Sequence, residues 1–389
     1  MRVIVVGAGV VGTMHAWQAV ERGHEVVQIE REAEARGASL RNFGQIWVSG
    51  RAGGEELETA LRARELWEAI GDRVPELGFR AIGSLTPVRN DLELAVAEAA
   101  VARPDAAARG YKLVTADEAR AINPALRGEF VSALYCERDA AVEPRTAQLA
   151  LRKALLASGR YTFLPGREVR EVIDPGKNGR SAVRDDHGDV HSGDAVVLCT
   201  GAWLGGLVRE LAPDLPVRRV RLQMAQTDPL GEPLTTSVAD ADSFRYYPAY
   251  ASDALDALNA GQAQQPTAAE HKMQLLMVQR RDGGLTIGDT HEYEHPFAFD
   301  TLEDPFEHLT QVIEGFLGRP LPKIRRRWAG VYAQCTDTPP GSAGGTTPST
   351  RVVHREQVRD GVWLVTGPGG RGMTCSPAIA ETTADQLGW

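Results

Sequence analysis

Cysteine is scarce in this chain: four residues in 389, Cys136, Cys199, Cys335 and Cys375, with no CxxC pair among them. Neither a zinc centre nor a disulfide framework can be built on that spacing, so no metal site is expected and the thiols read as reduced and mostly buried. A basic excess is also missing. The formal net charge is -9, which excludes nucleic acid and anionic membrane as partners, because both require a positive field. Any anionic ligand must therefore be caught by a few local groups. Long hydrophobic runs are absent too: the longest near the start, Val3 to Val11, is too short for a membrane span, is broken by Gly7 and Gly9, and has no signal-peptide layout. The protein reads as cytoplasmic. What the chain does have is an ordinary globular composition, 43% hydrophobic and 24% charged, and more length than one hydrophobic core organises, so two domains are expected.

The first thirty residues carry the sharpest signal. "RVIVVGAGVVG" is a β-branched run leading into Gly7, Gly9 and Gly12, "TMHAWQAVERG" has a helical pattern ended by Gly23, and "HEVVQIE" is a second apolar strand ending in Glu30. Strand, glycine turn, helix and strand with a terminal acid make up the complete dinucleotide-binding unit. Gly7 permits the tight turn, Gly9 lets backbone approach a pyrophosphate, and Gly12 lets the helix pack on the strand, with the helix N-terminus facing the anion. Glu30 suits a ribose and disfavours a 2'-phosphate. The unit alone does not separate NAD from FAD. The following "REAEARGASLRNFGQIW" has neither the helical nor the strand period; it reads either as a loop continuing along an extended cofactor or as a plain surface loop.

Between residues 145 and 212 the α/β pattern returns. "PRTAQLALRKALLASG" predicts a helix, "TFLPGREVREVI" a strand, "SAVRDDHGDVHS" a hairpin, and "DAVVLCTGAW" a buried strand of a parallel sheet. The turn at Thr200 and Gly201 lies where open α/β sheets place ligands, and Trp203 is expected to begin a helix as core filler or cofactor contact. The remaining segments mix strands and helices with prolines, including "PVRRVRLQMAQT", "FRYYPAY" and "GGLTIGDTHEY", and predict an inserted, mostly antiparallel domain. Within it "SDALDALNAGQAQQPTAAEH" is low in aromatics and reads as a mobile excursion. The expected fold class is thus α/β (α+β overall): a Rossmann-like cofactor domain from 1–80, 145–212 and 329–389, and a substrate domain from 81–144 and 213–328.

The motifs "VVGAGVVG", "GASLRNFG", "VVLCTGAW", "GLTIG", "GVYAQCTD" and "TGPGGRGMTCSPAIAE", in that order, resemble the D-amino-acid oxidase superfamily near its glycine oxidase and sarcosine oxidase branches, and more narrowly the clade associated with phosphonate catabolism. The resemblance implies FAD. It implies that Gly7, Gly9, Val10, Val11 and Gly12 hold the pyrophosphate, Glu30 and Arg31 the ribose region, Ser39 a phosphate, and Arg41, Asn42, Gly44 and Gln45 the surroundings of the isoalloxazine. Val169 would meet the adenine side, and Thr200, Gly201 and Trp203 would close from behind. Gly369, Gly370, Arg371, Gly372, Met373 and Thr374 would wrap the pyrimidine end, with "SPAIAETTADQL" as a helix beyond, Pro377 near its first turn. Backbone N–H groups there stabilise the charge left on a reduced flavin.

The sequence also departs from that pattern. Where sarcosine oxidases attach the flavin through cysteine, this chain has Gly330, so FAD is expected without a covalent bond, Cys335 being the one place where a linkage could be rescued; where they carry an oxygen-assisting lysine, it has Thr286. The resemblance implies oxidation of a small anionic amine, an amino acid or an aminophosphonate, to an imine that hydrolyses to an aldehyde or keto acid, with oxygen or an electron carrier as acceptor. Arginine suits the anion because its planar fork donates two parallel hydrogen bonds. Arg371 and Arg245 are the candidates, ahead of the runs Arg218, Arg219, Arg221 and Arg325, Arg326, Arg327, which read as solvated strand faces. Tyr246, Tyr247 and Tyr332 are wall candidates or simply core residues, and His291 is either beside the flavin or structural. An NAD(P)-dependent dehydrogenase and a non-catalytic flavin-binding module stay open as alternatives; the oligomeric state is not legible.

Overall fold

The computed structural model describes residues 1–174, 180–337, 349 and 351–389. Its first sheet has six strands in the order His354–Arg359, Val362–Thr366, Ala195–Leu198, Arg2–Val6, Glu25–Glu30 and Tyr161–Pro165. All neighbours run parallel except the edge strand His354–Arg359. Arg2–Val6 is central, with Val3 in register between Ala195 and Val26. Its apolar residues face both ways because both faces are covered. Val3 and Val5 meet helices Val10–Glu21 and Gly372–Gln386 on one side; Ile4 and Val6 meet a three-stranded antiparallel layer, Val169–Ile173, Ser181–Asp185 and Val190–Gly193, on the other.

The second sheet has eight strands in the order Ile324–Cys335, Val217–Pro229, Gly284–Gly288, Leu276–Gln279, Ser237–Ala239, Ser84–Val88, Ser132–Cys136 and Tyr111–Thr115, antiparallel apart from the Ser237–Ala239 and Ser84–Val88 pair. Strand alternation sorts its residues: Leu275, Met277, Leu285 and Ile287 pack on helix Asp304–Leu317, while Met224, Leu276 and Val278 turn to the opposite face with Phe43, Trp47 and Tyr247.

Several elements differ from the sequence-based expectation. "TFLPGREVREVI" is two strands in two sheets, parted at Gly166, whose φ is +67°. Trp203 does not begin a helix: the turn after Cys199 continues to Gly206, the helix is Leu207–Leu211, and Trp203 is half exposed. Within "FRYYP", the tyrosines read as wall or strand residues lie at the end of a short helix, Asp242–Tyr246. The stretch read as a mobile excursion forms helices Asp253–Gly261 and Pro266–Glu270. The Ser252 side chain caps the first and Leu255 and Leu258 are buried, so a cap and an i, i+3 apolar pair outweigh the poverty in aromatics. The C-terminal helix starts earlier than expected, at Gly372, and holds Pro377 in its interior. The proline has no N–H for the carbonyl four residues back; that carbonyl, Met373 O, accepts instead from Trp67 Nε1 at 3.0 Å.

All four cysteines are buried and unpaired. Burial pushes the Cys335 and Cys375 thiols up to about 11 and the Cys136 and Cys199 thiols up further. No helix of the described residues is long and apolar enough to cross a membrane.

The glycine turn is sterically exacting. A Cβ on Gly12 would lie 2.1 Å from Gly7 O, whereas one on Gly9 would meet only the Ser39 hydroxyl, at 3.1 Å. Gly12→Ala is therefore expected to lower Tm by more than about 5 °C and to lose the bound cofactor on gel filtration. Gly9→Ala should keep the fold and lose only cofactor affinity. Equal Tm values for the two variants would refute this steric reading.

Candidate functional site

The cofactor groove is assembled at the carboxyl end of Arg2–Val6. Gly7 turns with φ +100° directly over Cys199 O, where a Cβ would stand at 2.3 Å. Val10 N donates to Ser39 Oγ at 2.8 Å, and Ala8 N donates to Glu30 Oε2 at 2.7 Å. Glu30 is buried and each of its oxygens holds one backbone N–H, which leaves acceptor capacity for ribose hydroxyls. Arg31 lies over the Trp203 ring at 4.3 Å. Thr200 Oγ1 is buried without a partner, next to Gly201 with φ +61°. Val169 is buried among Ile4, Val6 and Val27, and Val11 is partly buried against the helix side of the sheet.

The loop that follows is fixed by its own polar groups. Asn42 Nδ2 donates to Ala38 O and Ser39 O, and its Oδ1 accepts from Gly44 N at 2.7 Å. Arg41 Nη1 donates to Ala329 O at 2.9 Å, and a Cβ on Gly330 would come 3.1 Å from Arg41 O. Gly44 has φ +68° and would place a Cβ 2.2 Å from Val142 O, so only glycine fits. The Gln45 amide is buried with neither nitrogen nor oxygen partnered and faces a cavity of about 530 Å³.

That cavity lies between the eight-stranded sheet, at Leu222 and Leu276, and the start of helix Gly372–Gln386, at Met373 and Thr374. Of the residues singled out from sequence it gathers Asn42, Gln45, Arg245, Tyr246, Tyr247, His291, Tyr332, Gly370, Arg371, Met373 and Thr374. Thr286 is buried but does not line it. One wall is a continuous aromatic run: Trp47 to Tyr247 at 5.8 Å, Tyr247 to Tyr246 at 5.0 Å, and Tyr246 stacked on His291 at 4.4 Å. Tyr332 Oη is buried and unpartnered, 3.7 Å from where a Cβ of Gly370 would be. None of the four cysteines lines the cavity; Cys335 packs against Gly367 instead.

His291 Nδ1 donates to Lys272 O at 3.0 Å, which makes Nε2 the acceptor nitrogen. Asp289, absent from the sequence-based candidates, puts its Oδ2 4.0 Å from that nitrogen. Burial drives both toward neutrality, lowering His291 to about 4 and raising the Asp289 carboxyl well above the usual carboxylate range.

The arginines sort themselves by partners. Arg371 is buried and pairs with Glu56 at 3.0 Å, and it also donates to Pro368 O, Ser349 O and Arg351 O. Arg245 is held by Asp242, Asn259 and Gln262 O. Arg221 is buried, not solvated as expected, and pins Glu292 and Asp300 O. Arg51 and Glu56, neither visible as candidates from sequence, complete the site: Arg51 Nη1 is 3.7 Å from Glu56 Oε1. Their only sequence signal is an arginine among small residues in "VSGRAGGEE".

The glycine turn, the buried acid and the open hydrogen-bonding groups of Gln45 and Thr200 fit a dinucleotide cofactor, and the cavity beside them fits a small substrate; together they define a nucleotide-cofactor oxidoreductase. The chain belongs to the DAO family, "FAD dependent oxidoreductase", whose model matches residues 2–386. It is 27% identical to a glycine oxidase of Pseudomonas aeruginosa over 99% of this chain and 94% of the relative, and 25% identical to that of Pseudomonas putida over the same shares. Among solved structures, glycine oxidase from Geobacillus kaustophilus superposes with a TM-score of 0.74 at 19% identity over 100% of this chain and 95% of the other. Iminodiacetate oxidase from Chelativorans gives 0.73 at 18% identity over 100% and 95%.

Glu56 is the single carboxylate between two buried guanidinium groups. Removing its charge by Glu56→Gln leaves both uncompensated and is expected to cost about 3 to 5 kcal/mol in chemical denaturation. A loss below about 1 kcal/mol would show that the pair is not desolvated.

Proposed function

We propose that this enzyme oxidises a small anionic amine, an amino acid or an aminophosphonate, primary or N-methylated, to an imine that water hydrolyses to an aldehyde or keto acid, with oxygen as acceptor and peroxide released. The observation that carries the reading is the polarity of the cavity. One end, at His291 and Asp289, lies buried with Nε2 and Oδ2 4.0 Å apart, where burial drives both groups toward their uncharged forms; the other, at Arg51, Glu56 and Arg371, has two cations for one anion. Segments 1–80, 145–212 and 329–389 would hold the cofactor and 81–144 and 213–328 would face the substrate, with Trp47, Arg51 and Glu56 of the first segment also lining the substrate cavity and the boundary at 329 falling inside strand Ile324–Cys335 of the eight-stranded sheet.

FAD, when bound without a covalent link, supplies a two-electron acceptor for the hydrogen leaving the carbon next to nitrogen. Gly7, Gly9, Gly12, Glu30 and Ser39 would hold its nucleotide half, and Gln45, Gly370 and Thr374 the ring. Arg371 and the backbone N–H groups at the start of helix Gly372–Gln386 add positive potential on that side. Trp47, Tyr246 and Tyr247 exclude water and confine the amine. His291 Nε2 accepts a hydrogen bond from the amine N–H, and a neutral Asp289 beside it offers no countercharge to an ammonium, so this end favours the free base whose lone pair the oxidation needs.

An anaerobic screen for loss of the flavin band with glycine, sarcosine, D-amino acids, 2-aminoethylphosphonate and its N-methyl form tests the substrate class. At least one should bleach the flavin, and peroxide should follow on admitting air; no bleaching by any would sink the proposal. Bleaching without peroxide would shift the acceptor to a carrier.

The pH profile should follow the substrate. With a carboxylate substrate, kcat/KM is expected to rise tenfold per pH unit until the amine's own pKa, about 10 for an alkylamine, with no inflection between pH 5 and 8, since burial lowers His291 to about 4. Asp289→Asn, an uncharged isostere, should keep kcat within about threefold. An inflection near pH 6.5 that vanishes in His291→Asn would overturn the assignment of a neutral amine end.

A further inference from the structure

We infer that Arg51, rather than Arg371 or Arg245, is the side chain that binds the oxyanion of the substrate; this rests on the amine-oxidising function proposed above and names the residue that recognises the anion. Arg51 is buried at 5% exposure and lines the cavity. Its Nε is committed to Trp47 O at 2.8 Å, which fixes the plane of the guanidinium. Among the described residues, neither Nη has a hydrogen-bond acceptor, because the only carboxylate near it, Glu56, stands at 3.7 Å and gives its other oxygen, at 3.0 Å, to Arg371.

Four N–H bonds of a desolvated cation are thus left open toward a cavity, an arrangement that persists only where a ligand or ordered water completes it. The other two arginines are spent. Arg371 donates to one carboxylate and three carbonyls, and Arg245 is neutralised by Asp242 and held by two further acceptors. Lys272 is exposed, its ammonium over the Tyr293 ring at 4.8 Å. The cluster Arg51, Glu56 and Arg371 sums to one positive charge, which a carboxylate or a singly ionised phosphonate cancels. Gly50 fixes the position of the fork: a Cβ there would strike Trp47 and the Tyr247 ring at 2.6 and 2.5 Å, so Arg51 follows directly on the aromatic wall that confines the amine.

The test uses the FAD-loaded enzyme and two anions that cannot be oxidised, acetate and methylphosphonate, titrated against the flavin absorption spectrum. Wild type should respond to at least one, and which one responds distinguishes a carboxylate from a phosphonate. Arg51→Met should weaken that response at least 100-fold and Arg51→Lys, which keeps the charge but loses the fork, about 10-fold, while Arg245→Lys, which keeps the charge facing Asp242, stays within threefold. If Arg51→Met does not retain FAD, the Arg51→Lys titration decides alone. A wild type that responds to neither anion, an unchanged affinity in Arg51→Lys, or an equal loss in Arg245→Lys would overturn the inference. Bleaching by anionic amines with an anion response that ignores Arg51 would leave the proposed reaction standing and remove only the anchor. Anion binding lost in Arg51→Lys, with no amine bleaching the wild type, would do the reverse.

Discussion

The buried carboxylate of Asp139 is the interaction on which the site depends. Its Oδ1 accepts from Val48 N at 2.6 Å and Ser49 N at 3.0 Å, and its Oδ2 accepts from Ser49 Oγ and Ser84 Oγ at 2.7 and 2.6 Å. Burial raises its pKa while these four donors pull it down. The segment it holds is gripped from the same side by Arg109 and the Tyr111 hydroxyl on Ser49 O, and from the other by Thr374 Oγ1, which accepts from Trp47 N and donates to Gln45 O. Residues 45 to 51 are therefore a seam between the antiparallel sheet and the C-terminal helix. Gln45, Trp47 and Arg51 all line the cavity from this one stretch, so under the proposed function cofactor and substrate would be positioned by a single rigid segment rather than by two independently placed surfaces.

The electrostatics of the cavity follow from packing as much as from sequence charge. A protein with a net charge of -9 keeps a locally positive pocket because the carboxylates lining it are neutralised: buried Glu56 is shared between two guanidinium groups, half-buried Asp242 is paired with Arg245, and buried Asp289 is pushed toward its protonated form by desolvation. The overall acidic field then repels bulk anions from the surface, and the selective term is confined to the buried end.

How much of this was legible in the sequence depended on how local the constraint was. Gly7, Gly9, Gly12 and Glu30 are tied together within thirty residues by a turn that only glycine can make, so the cofactor unit could be read directly. The cavity arginines could not. Arg371 looked like a free anchor because its partner Glu56 is 315 positions away, and Arg51 drew no attention because the cavity it lines is assembled from parts of the chain far from it, among them Tyr246, Tyr332 and Arg371. Asp289 was passed over for a related reason: nothing in "GDTHEY" says that the carboxyl turns inward beside His291. The helical stretch after Ser252 was misjudged from composition, where a cap and two leucines decided the outcome.

The four cysteines, set aside at the start as too few to build with, have a consequence for chemical durability. Peroxide attacks thiolates, not thiols, and in this chain each sulfur is enclosed and its proton held by burial. A protein that turns oxygen into peroxide in its own interior would face the oxidant at its source. This one offers it no ready thiolate, not even at Cys335, which packs against Gly367; the sulfur-bearing residues that line the cavity are Met273 and Met373, whose thioethers would be the first to be oxidised.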